Sequence, residues 1–243
     1  MPSEVIYDTI FLMKCVILAA GAGKRMRPLT LYHPKPMLQV IGKPILEHLL
    51  ESLPPAIDEV IMVVGYLGDQ IRSYFGEHFG RFKVSYVTQD RPLGTYHALL
   101  LTRPLLDEGR FLVMIGDDLH GRSAIHKAVF QPTPSLLVAE VPDPREFGVV
   151  TLGPDGKIME IEEKPAAPKS NFVSTGVMVL DHRVFNYQPA RHANGEYYLP
   201  TAVNQMLRDH SVSAIFSTAW QQVGYPEDLD KATAFLKRNE HLN

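Results

Sequence analysis

The sequence is poor in cysteine and shows no excess of charge of either sign. Of its 243 residues only one is cysteine, Cys15, and the formal net charge is −3. A single cysteine allows no disulfide within the chain, so nothing indicates an oxidising compartment. A general nucleic-acid binder normally carries a basic surplus, which is absent here. We therefore expect Cys15 to be a core residue and the protein to have no nucleic-acid partner.

Targeting and membrane signals are also missing. The apolar run from Ile10 to Ala20 is interrupted by Lys14 and is too short to span a bilayer. Residues 1–9 contain Glu4 and Asp8 and lack the basic start of a signal peptide. The ten histidines show no H-x-x-x-H or Cys/His spacing, so a zinc site is not expected. These absences predict a cytoplasmic protein without a membrane partner.

What the sequence does contain is a phosphate-binding pattern directly after its first apolar strand. Residues 18–38 read LAAGAGKRMRPLTLYHPKPML. Gly21 and Gly23 allow a tight turn whose N–H groups can point at an anion. The cations of the same segment are Lys24, Arg25, Arg27 and Lys35. We expect this segment to hold a chain of phosphates.

Two better-known phosphate loops do not fit the segment. A dinucleotide fingerprint needs a third glycine three residues after the second, where this sequence has Met26. A P-loop needs Ser or Thr directly after its Gly-Lys pair, but the pair at residues 42–43 is followed by Pro44. Both classes of phosphate loop are therefore excluded.

The segment instead resembles the signature of the sugar-phosphate nucleotidyltransferases (nucleotide-sugar pyrophosphorylases), usually written LAAGxGxRLxPLTxxxPKPMLxVxGKPIL. The similarity runs through residue 46. Further segments typical of that family follow in order: QDRPLGTYHAL at 89–99, IGDDL at 115–119, FGVV at 147–150, EEKP at 162–165, STGVMVL at 174–180 and GYPEDL at 224–229. The resemblance therefore covers almost the whole chain.

Apolar, β-branched runs alternate with helical stretches, as is typical of a mostly parallel sheet with crossover helices. The pattern predicts strands at 14–19, 59–64, 83–87 and 111–115, and helices near 44–52, 68–75 and 94–103. After about residue 134 it predicts closely spaced strands at 136–141, 147–152, 157–163 and 172–180, and then helices at 198–208 and 226–238.

Together with the resemblance, this pattern implies an α/β fold, a Rossmann-like three-layer sandwich with a mixed, mostly parallel central sheet. We expect a single domain over residues 1–243. Its nucleotide-binding half should cover about 13–133 and its sugar-phosphate-binding half about 134–243.

The resemblance implies transfer of a nucleotidyl group from a nucleoside triphosphate to a sugar 1-phosphate. An oxygen of the sugar phosphate forms a bond to the α-phosphorus while the bond to the leaving pyrophosphate breaks. Because the nucleophile is already an anion, no general base is required. The site must hold the reactants in line and offset their negative charge with cations and a metal ion.

Three charged residues form the predicted catalytic set. Arg25 follows the glycine turn, where a guanidinium can bond several triphosphate oxygens. Lys35 lies between two prolines, which restrict the backbone that carries its ammonium group. Asp117 follows an apolar strand and, in line with the resemblance, is expected to hold Mg²⁺. Asp118 should point the other way.

The expected second metal ligand departs from the family pattern. Many relatives carry Asp in W-x-D-x-G-T-P, whereas this chain has Gln222 at that position and Tyr225 in place of the Thr. An amide oxygen is a neutral and weaker ligand for a hard cation. Three interpretations stay open: Gln222 ligates through its carbonyl with phosphates completing the shell, metal affinity is low, or activity is lost. Tyr225 also removes a good N-cap from the last helix.

The nucleotide contacts follow from the resemblance. Gln89 and the backbone of Gly94 match the pair that reads a pyrimidine ring in uridylyl- and thymidylyl-transferring relatives. A Gln amide can pair with both N3–H and a carbonyl of uracil or thymine. His97 should pack its helix near the base pocket. The other expected nucleotide contacts are Leu18, Ala19, Ala20, Gly21, Gly23, Pro92 and Thr95.

The sugar-phosphate contacts are carried over in the same way. Lys164 is the natural cation for the phosphate, and the neighbouring glutamates can accept from sugar hydroxyls. Ser174 replaces the Asn that is typical of relatives handling N-acetylglucosamine, which favours an unacetylated hexose. The predicted set is Gly148, Glu162, Glu163, Lys164 and Thr175.

The favoured function is Mg²⁺-dependent nucleotidyl transfer from UTP or dTTP to glucose 1-phosphate, an activity of the EC 2.7.7 class, and relatives suggest a homo-oligomer. One alternative is a non-catalytic regulatory or sugar-nucleotide-binding paralogue, which Gln222 and Tyr225 favour. The other is a CTP-dependent cytidylyltransferase of a small alcohol phosphate, which Glu163 and Lys164 disfavour.

Overall fold

The structure, a computed structural model, describes residues 12–239 and is built around a ten-stranded mixed sheet. The strands are β1 (Met13–Ala19), β2 (Gln39–Val40), β3 (Lys43–Pro44), β4 (Ile57–Val64), β5 (His78–Phe79), β6 (Phe82–Thr88), β7 (Arg110–Ile115), β8 (Leu119–His120), β9 (Ser135–Glu140), β10 (Gly148–Leu152), β11 (Ile158–Glu163), β12 (Phe172–Asp181), β13 (Ser213–Phe216) and β14 (Trp220–Gln221). The α-helices are α1 (Ile45–Glu51), α2 (Gly68–Phe75), α3 (Thr95–Thr102), α4 (Arg122–Val129), α5 (Leu199–Met206) and α6 (Asp228–Asn239). Short 3₁₀ helices lie at Lys24–Met26, Leu29–Leu31, Lys35–Met37, Arg103–Leu105 and His182–Asn186.

One sheet contains both the parallel strands of the N-terminal half and the antiparallel pairs of the C-terminal half. Its main path is β11-β10-β12-β7-β1-β4-β6-β5, with β9 beside β12 and β13 beside β9. Strands β7, β1, β4 and β6 are mutually parallel, whereas β12 is antiparallel to β7 and β9. The antiparallel β7–β12 pair therefore joins the N-terminal strands to the C-terminal ones.

Alternation along β1 shows how the sheet is covered on both faces. Cys15 and Ile17 belong to a buried cluster that includes residues of α1, α2 and α4. Val16 and Leu18 belong to a second cluster that includes residues of α3 and α5. The predicted α/β fold, with helices on both sides of a mixed central sheet, is confirmed. Cys15 is fully buried as expected, and burial raises the pKa of its thiol above the ordinary range.

A third apolar cluster supports the segments that follow β1 and β14. Met26 from the glycine loop and Val223 from the segment after β14 are both completely buried in it. Phe235 of α6 packs against the same cluster. The cluster therefore anchors the residues that directly follow Arg25 and Gln222.

The predicted strands and helices agree with the structure to within two residues at each end. The elements missed were α4, β13, the two-residue strands and the 3₁₀ helices. All are short, and several depend on distant partners, such as β9 for β13. The last helix begins at Asp228 rather than near residue 226. The Asp228 carboxylate accepts hydrogen bonds of 2.9 Å from the N–H groups of Gly224 and Tyr225. The first residue of the helix therefore binds the backbone N–H groups just before it, although Tyr225 offers no capping side chain.

Both ends of the predicted domain, residues 1–11 and 240–243, lie outside the described residues. The single-domain boundaries therefore stay a prediction. Within residues 12–239, no helix combines the length and the apolar character that a membrane crossing would require.

We predict that Gly176→Ala destabilises the fold more than Gly156→Ala. Both glycines have positive φ, +80° and +75°, so both substitutions introduce backbone strain. A Cβ on Gly176 would lie 2.8 Å from Ile115 Cγ1, whereas nothing lies within 4 Å of a Cβ on Gly156. We expect overpacking to cost the first variant a further 1–3 kcal/mol or so. Urea denaturation of the two variants measures this difference, and equal midpoints would contradict the packing argument.

Candidate active site

Two adjoining cavities open beyond the carboxyl ends of the parallel strands, where ligands bind in open α/β sheets. The β12 cavity has a volume of about 230 Å³ and includes Lys164 and Thr175 in its wall. The glycine-loop cavity has a volume of about 210 Å³ and includes Gly21 and Gln89. The residues common to both walls are Leu18, Lys35, Thr95, Ile115 and Asp117. The cavities therefore meet where β1 and β7 end.

The glycine loop presents unpaired backbone donors. Gly23 has φ +55°, and Thr30 Oγ1 donates to its carbonyl oxygen at 2.8 Å, which holds the turn in place. Within residues 12–239, the N–H groups of residues 21–23 donate to no protein acceptor. A turn of this kind with free N–H groups is a site for an anion. Ala19, Ala20, Gly21 and Gly23 all line the glycine-loop cavity.

Lys35 and Asp117 form an ion pair at the junction of the cavities. Lys35 Nζ lies 2.7 Å from Asp117 Oδ2, and the two side chains are 9% and 27% exposed. Lys35 begins a 3₁₀ turn after Pro34, and Asp117 follows β7, so 82 residues separate the partners in sequence. Asp117 Oδ1 accepts no hydrogen bond from any residue in the described part of the chain. One carboxylate oxygen is therefore available for another cation.

Arg25 lies in the wall of the β12 cavity rather than that of the glycine-loop cavity. Its guanidinium carbon is 5.1 Å from the centroid of the Tyr225 ring, and its Nη1 is 3.8 Å from Glu146 Oε2. A guanidinium over an aromatic face is stabilised by the ring quadrupole. Tyr225, which departs from the family pattern, therefore helps to hold Arg25 in place.

Asp118 is only 8% exposed, lines the β12 cavity together with Asp117 and anchors the segment that carries Gln222. One carboxylate oxygen accepts from Trp220 Nε1 at 3.2 Å and the other from the N–H of Val223 at 3.1 Å. Burial, with Asp117 adding to it, raises the pKa of Asp118 well above its ordinary value, although Lys35 and the two donors act in the opposite direction. Sequence reasoning treated Asp118 only as a neighbour that faces away. The only sequence feature that could have indicated a role for Asp118 was its position directly after Asp117.

Gln222 lies in the wall of the β12 cavity together with Asp117. A Cβ on Gly224 would be 3.7 Å from Gln222 Cδ and 3.8 Å from Arg25 Nη2, so these two side chains flank the same glycine. Among the described residues, no group of three or more His, Cys, Asp or Glu side chains could hold a metal ion. Asp117 and Gln222 thus share a wall that also contains the carboxylates of Asp118, Glu146 and Glu163.

The loop around Gly94 is bonded directly to the segment that leads into α5. Gly94 has φ +93°, and a Cβ there would lie 2.5 Å from the carbonyl oxygen of Tyr197. That oxygen accepts from the N–H of Tyr96 at 2.9 Å. Thr95 Oγ1 accepts from the N–H of Leu199, also at 2.9 Å. The wall of one cavity is therefore attached to the wall of the other.

Most of the predicted sugar-phosphate residues line the β12 cavity. Glu163 ends β11, and its pKa is raised mainly by burial, which Lys164 opposes. Lys164 has φ +47° and its Nζ lies 5.6 Å above the centroid of the Tyr198 ring. The Thr175 hydroxyl is buried and has no partner among the described residues, so it is available to a ligand. Gly148 also lies in this wall.

The structure does not bring Glu162 into either cavity. Successive residues of a strand point to opposite faces, so Glu162 and Glu163 cannot both face the site. Glu162 instead is 47% exposed and lies 4.0 Å from Lys169 Nζ. The EEKP motif alone did not show which of its glutamates faces inward.

Several wall residues were missed by sequence reasoning. Glu196 lines the glycine-loop cavity, and Glu146, Tyr198 and Trp220 line the β12 cavity. The polar and aromatic run at residues 194–198, directly before α5, was the signal that could have indicated two of them.

A family model described as nucleotidyl transferase matches residues 14–239, which is most of the chain. The chain belongs to this family. The resemblance to sugar-phosphate nucleotidyltransferases is therefore confirmed.

Relatives and solved structures agree with this membership. The UTP–glucose-1-phosphate uridylyltransferase AglF of Haloferax volcanii is 34% identical over 238 residues, which cover 93% of this chain and 97% of AglF. The bifunctional protein GlmU of Methanocaldococcus jannaschii is 33% identical over 227 residues, which cover 92% of this chain and 54% of GlmU. The chain thus spans about half the length of GlmU relatives. A crystal structure of a candidate glucose-1-phosphate thymidylyltransferase from Bacillus anthracis superposes with a TM-score of 0.78 at 30% identity, covering 91% of this chain and 94% of that one.

We predict that His120 makes the fold sensitive to acid. His120 in β8 is 6% exposed, neither ring nitrogen has a partner within residues 12–239, and burial lowers the pKa of the ring to about 3. Between the ordinary histidine pKa of about 6.5 and this value, the unfolded chain binds a proton that the folded chain does not. The free energy of unfolding is therefore highest above this pH range and decreases as the pH falls through it.

Relative to His120→Leu, the wild type should lose roughly 1.4 kcal/mol of unfolding free energy per pH unit below about pH 6. Urea denaturation of both proteins between pH 4 and pH 7 measures this difference. Parallel pH profiles for the two proteins would show that His120 does not titrate as expected.

Proposed function

We propose that the protein transfers a nucleotidyl group from a nucleoside triphosphate to a sugar 1-phosphate, giving a nucleoside diphosphate sugar and pyrophosphate. The Lys35–Asp117 pair at the junction of the two cavities is the observation that carries this proposal. On one side lie the free N–H groups of the glycine loop, which suit a phosphate chain. On the other side Lys164 lies beside Glu163, which suits a phosphorylated sugar.

The chemistry requires positioning and charge more than proton transfer. An oxygen of the sugar phosphate forms a bond to the α-phosphorus as the bond to pyrophosphate breaks. Lys35 and Arg25 would offset the negative charge that develops on the phosphate oxygens. Lys164 would hold the sugar phosphate, while Glu163 and the Thr175 hydroxyl would bond the sugar hydroxyls. Both substrates would then lie in line at the junction.

The family generally uses a divalent metal ion, and we propose Mg²⁺. The free oxygen of Asp117 fits this ion, because Mg²⁺ is usually held by one or two carboxylates and by substrate phosphates. Gln222 would add a neutral amide oxygen. When bound, the ion would supply positive charge to the phosphate oxygens.

For the substrates, we propose UTP or dTTP with glucose 1-phosphate. The names of AglF and of the Bacillus anthracis protein support these two nucleotides and this sugar phosphate. Ser174, only 8% exposed, lines the β12 cavity at the position that favours an unacetylated hexose. A homo-oligomer stays a prediction.

The direct test measures pyrophosphate release with Mg²⁺ across five nucleoside triphosphates and a panel of sugar 1-phosphates. We expect release with UTP or dTTP and glucose 1-phosphate. Asp117→Asn should reduce kcat by about a hundredfold or more, because it removes a charge at the reacting centre. Asp155→Asn, the same change at an exposed turn, is the control and should leave kcat unchanged.

Other results of this assay would reject parts of the proposal. Release only with CTP would reject UTP and dTTP as the donors. Release only with small alcohol phosphates would reject a sugar 1-phosphate as the acceptor. Nucleotide binding without release in any combination would favour the non-catalytic paralogue.

We predict that Gln222→Asp strengthens metal binding. The substitution adds a second carboxylate to the wall that contains Asp117, and affinity for hard cations rises with the charge of the ligands. The Mg²⁺ concentration for half-maximal activity should fall by roughly tenfold. Gln221→Asp adds the same charge one residue away, outside both cavity walls, and is the matched control. An equal Mg²⁺ requirement in the two variants would show that residue 222 does not ligate the metal ion.

A further inference from the structure

Two contacts hold the Arg25 side chain, and neither uses its hydrogen-bond donors. The guanidinium carbon lies 5.1 Å from the centroid of the Tyr225 ring. Nη1 lies 3.8 Å from Glu146 Oε2, which is beyond hydrogen-bonding distance. Within residues 12–239, the guanidinium donates to no other protein acceptor either. The N–H groups of Arg25 are therefore free for a ligand in the β12 cavity, whose wall contains this residue.

A ring contact suits an arginine that has to bind phosphate. The Arg25 side chain is 48% exposed, and a long side chain at such a site samples many rotamers unless a contact restrains it. The face of an aromatic ring attracts the cation without carrying an opposite net charge. A carboxylate at hydrogen-bond distance would also restrain the guanidinium, but it would take up N–H donors and offset the positive charge. Tyr225 therefore restrains Arg25 and leaves its charge and its donors available.

The backbone on both sides of this contact is anchored. Met26, directly after Arg25, and Val223, two residues before Tyr225, are completely buried in the same apolar cluster. The N–H of Tyr225 donates to the Asp228 carboxylate at 2.9 Å. The ring and the guanidinium thus come from two segments that pack into one cluster, so the ring can set the position of the guanidinium in the cavity wall.

We propose that Tyr225 is a positioning residue, which holds the Arg25 guanidinium in the wall of the β12 cavity with its N–H groups free for phosphate oxygens. The inference rests on the proposed function, because Arg25 belongs to the proposed catalytic set. Threonine, which many relatives carry at this position, has no ring and could not make the contact. The departure from the family pattern at position 225 therefore supports phosphate binding and is not a sign of lost activity.

Two substitutions of Tyr225 separate the ring from its hydroxyl group. Tyr225→Phe keeps an aromatic face, whereas Tyr225→Thr removes it. For glucose 1-phosphate with UTP or dTTP, kcat/KM should fall about two- to fivefold in Tyr225→Thr and stay near the wild-type value in Tyr225→Phe. Tyr74→Thr is the matched control and should keep the wild-type kcat/KM. Tyr74 is 45% exposed, close to the 44% of Tyr225, and lies outside both cavity walls.

An Arg25→Ala background distinguishes this role from a merely structural one. No guanidinium is left to position there, so adding Tyr225→Thr should lower kcat/KM no further. An effect of Tyr225 on the fold of its own segment would persist in that background, and such a result would contradict positioning through Arg25.

Binding of inorganic pyrophosphate, measured by calorimetry with Mg²⁺ and without any sugar phosphate, gives a readout that does not depend on turnover. Its dissociation constant should rise about two- to fivefold in Tyr225→Thr and stay near the wild-type value in Tyr225→Phe. In Arg25→Ala it should be the same with and without Tyr225→Thr.

The two measurements test the inference and the proposed function separately. Wild-type values for Tyr225→Thr, or an equal loss in Tyr225→Phe and Tyr225→Thr, would overturn the inference and leave the transfer reaction standing. Conversely, the expected changes in pyrophosphate binding in a protein that transfers to no sugar phosphate would support the inference and reject the proposed function.

Discussion

The ion pair between Lys35 and Asp117 is the interaction on which the site depends. The buried ammonium of Lys35 would be costly without a partner, and Asp117 supplies that partner at 2.7 Å. Since Lys35 lies in the segment between β1 and β2 while Asp117 follows β7, the pair attaches the glycine loop to the edge of the sheet. The pair also lies where both cavities meet. The two charged side chains that hold the loop are therefore the same two that are proposed to take part in the chemistry.

Two further attachments position the remaining walls. Thr95 and Tyr96 bond to the backbone of residues 197–199, which joins the base side of the site to the acceptor side. Asp118 bonds to Trp220 and Val223 and so fixes the segment that carries Gln222. Each attachment links residues that are about 100 positions apart in sequence. These contacts therefore hold segments that are distant in sequence at fixed positions around the two cavities.

The outline of the fold was predictable because its strands and helices have strong local patterns. Strands such as β1 are continuous apolar runs, and α2 and α5 carry apolar residues at helical spacing. Two of the strands that were missed, β8 and β14, are two residues long and exist only because they pair with each other across the chain. Glu162 was placed in the site on the basis of its motif, but strand alternation turns it outward, toward Lys169.

The sequence by itself determined the α/β class, the glycine loop with its cations and the acidic residue after β7, because each of these is local and is written in consecutive residues. The tertiary structure decided what those residues contact. It paired Lys35 with Asp117, stacked Arg25 on Tyr225 and bonded Asp118 to Trp220 and Val223. The physical reason is that ion pairs, ring contacts and hydrogen bonds of this kind depend on distances between segments, and those distances are set only when the sheet has formed and its helices have packed.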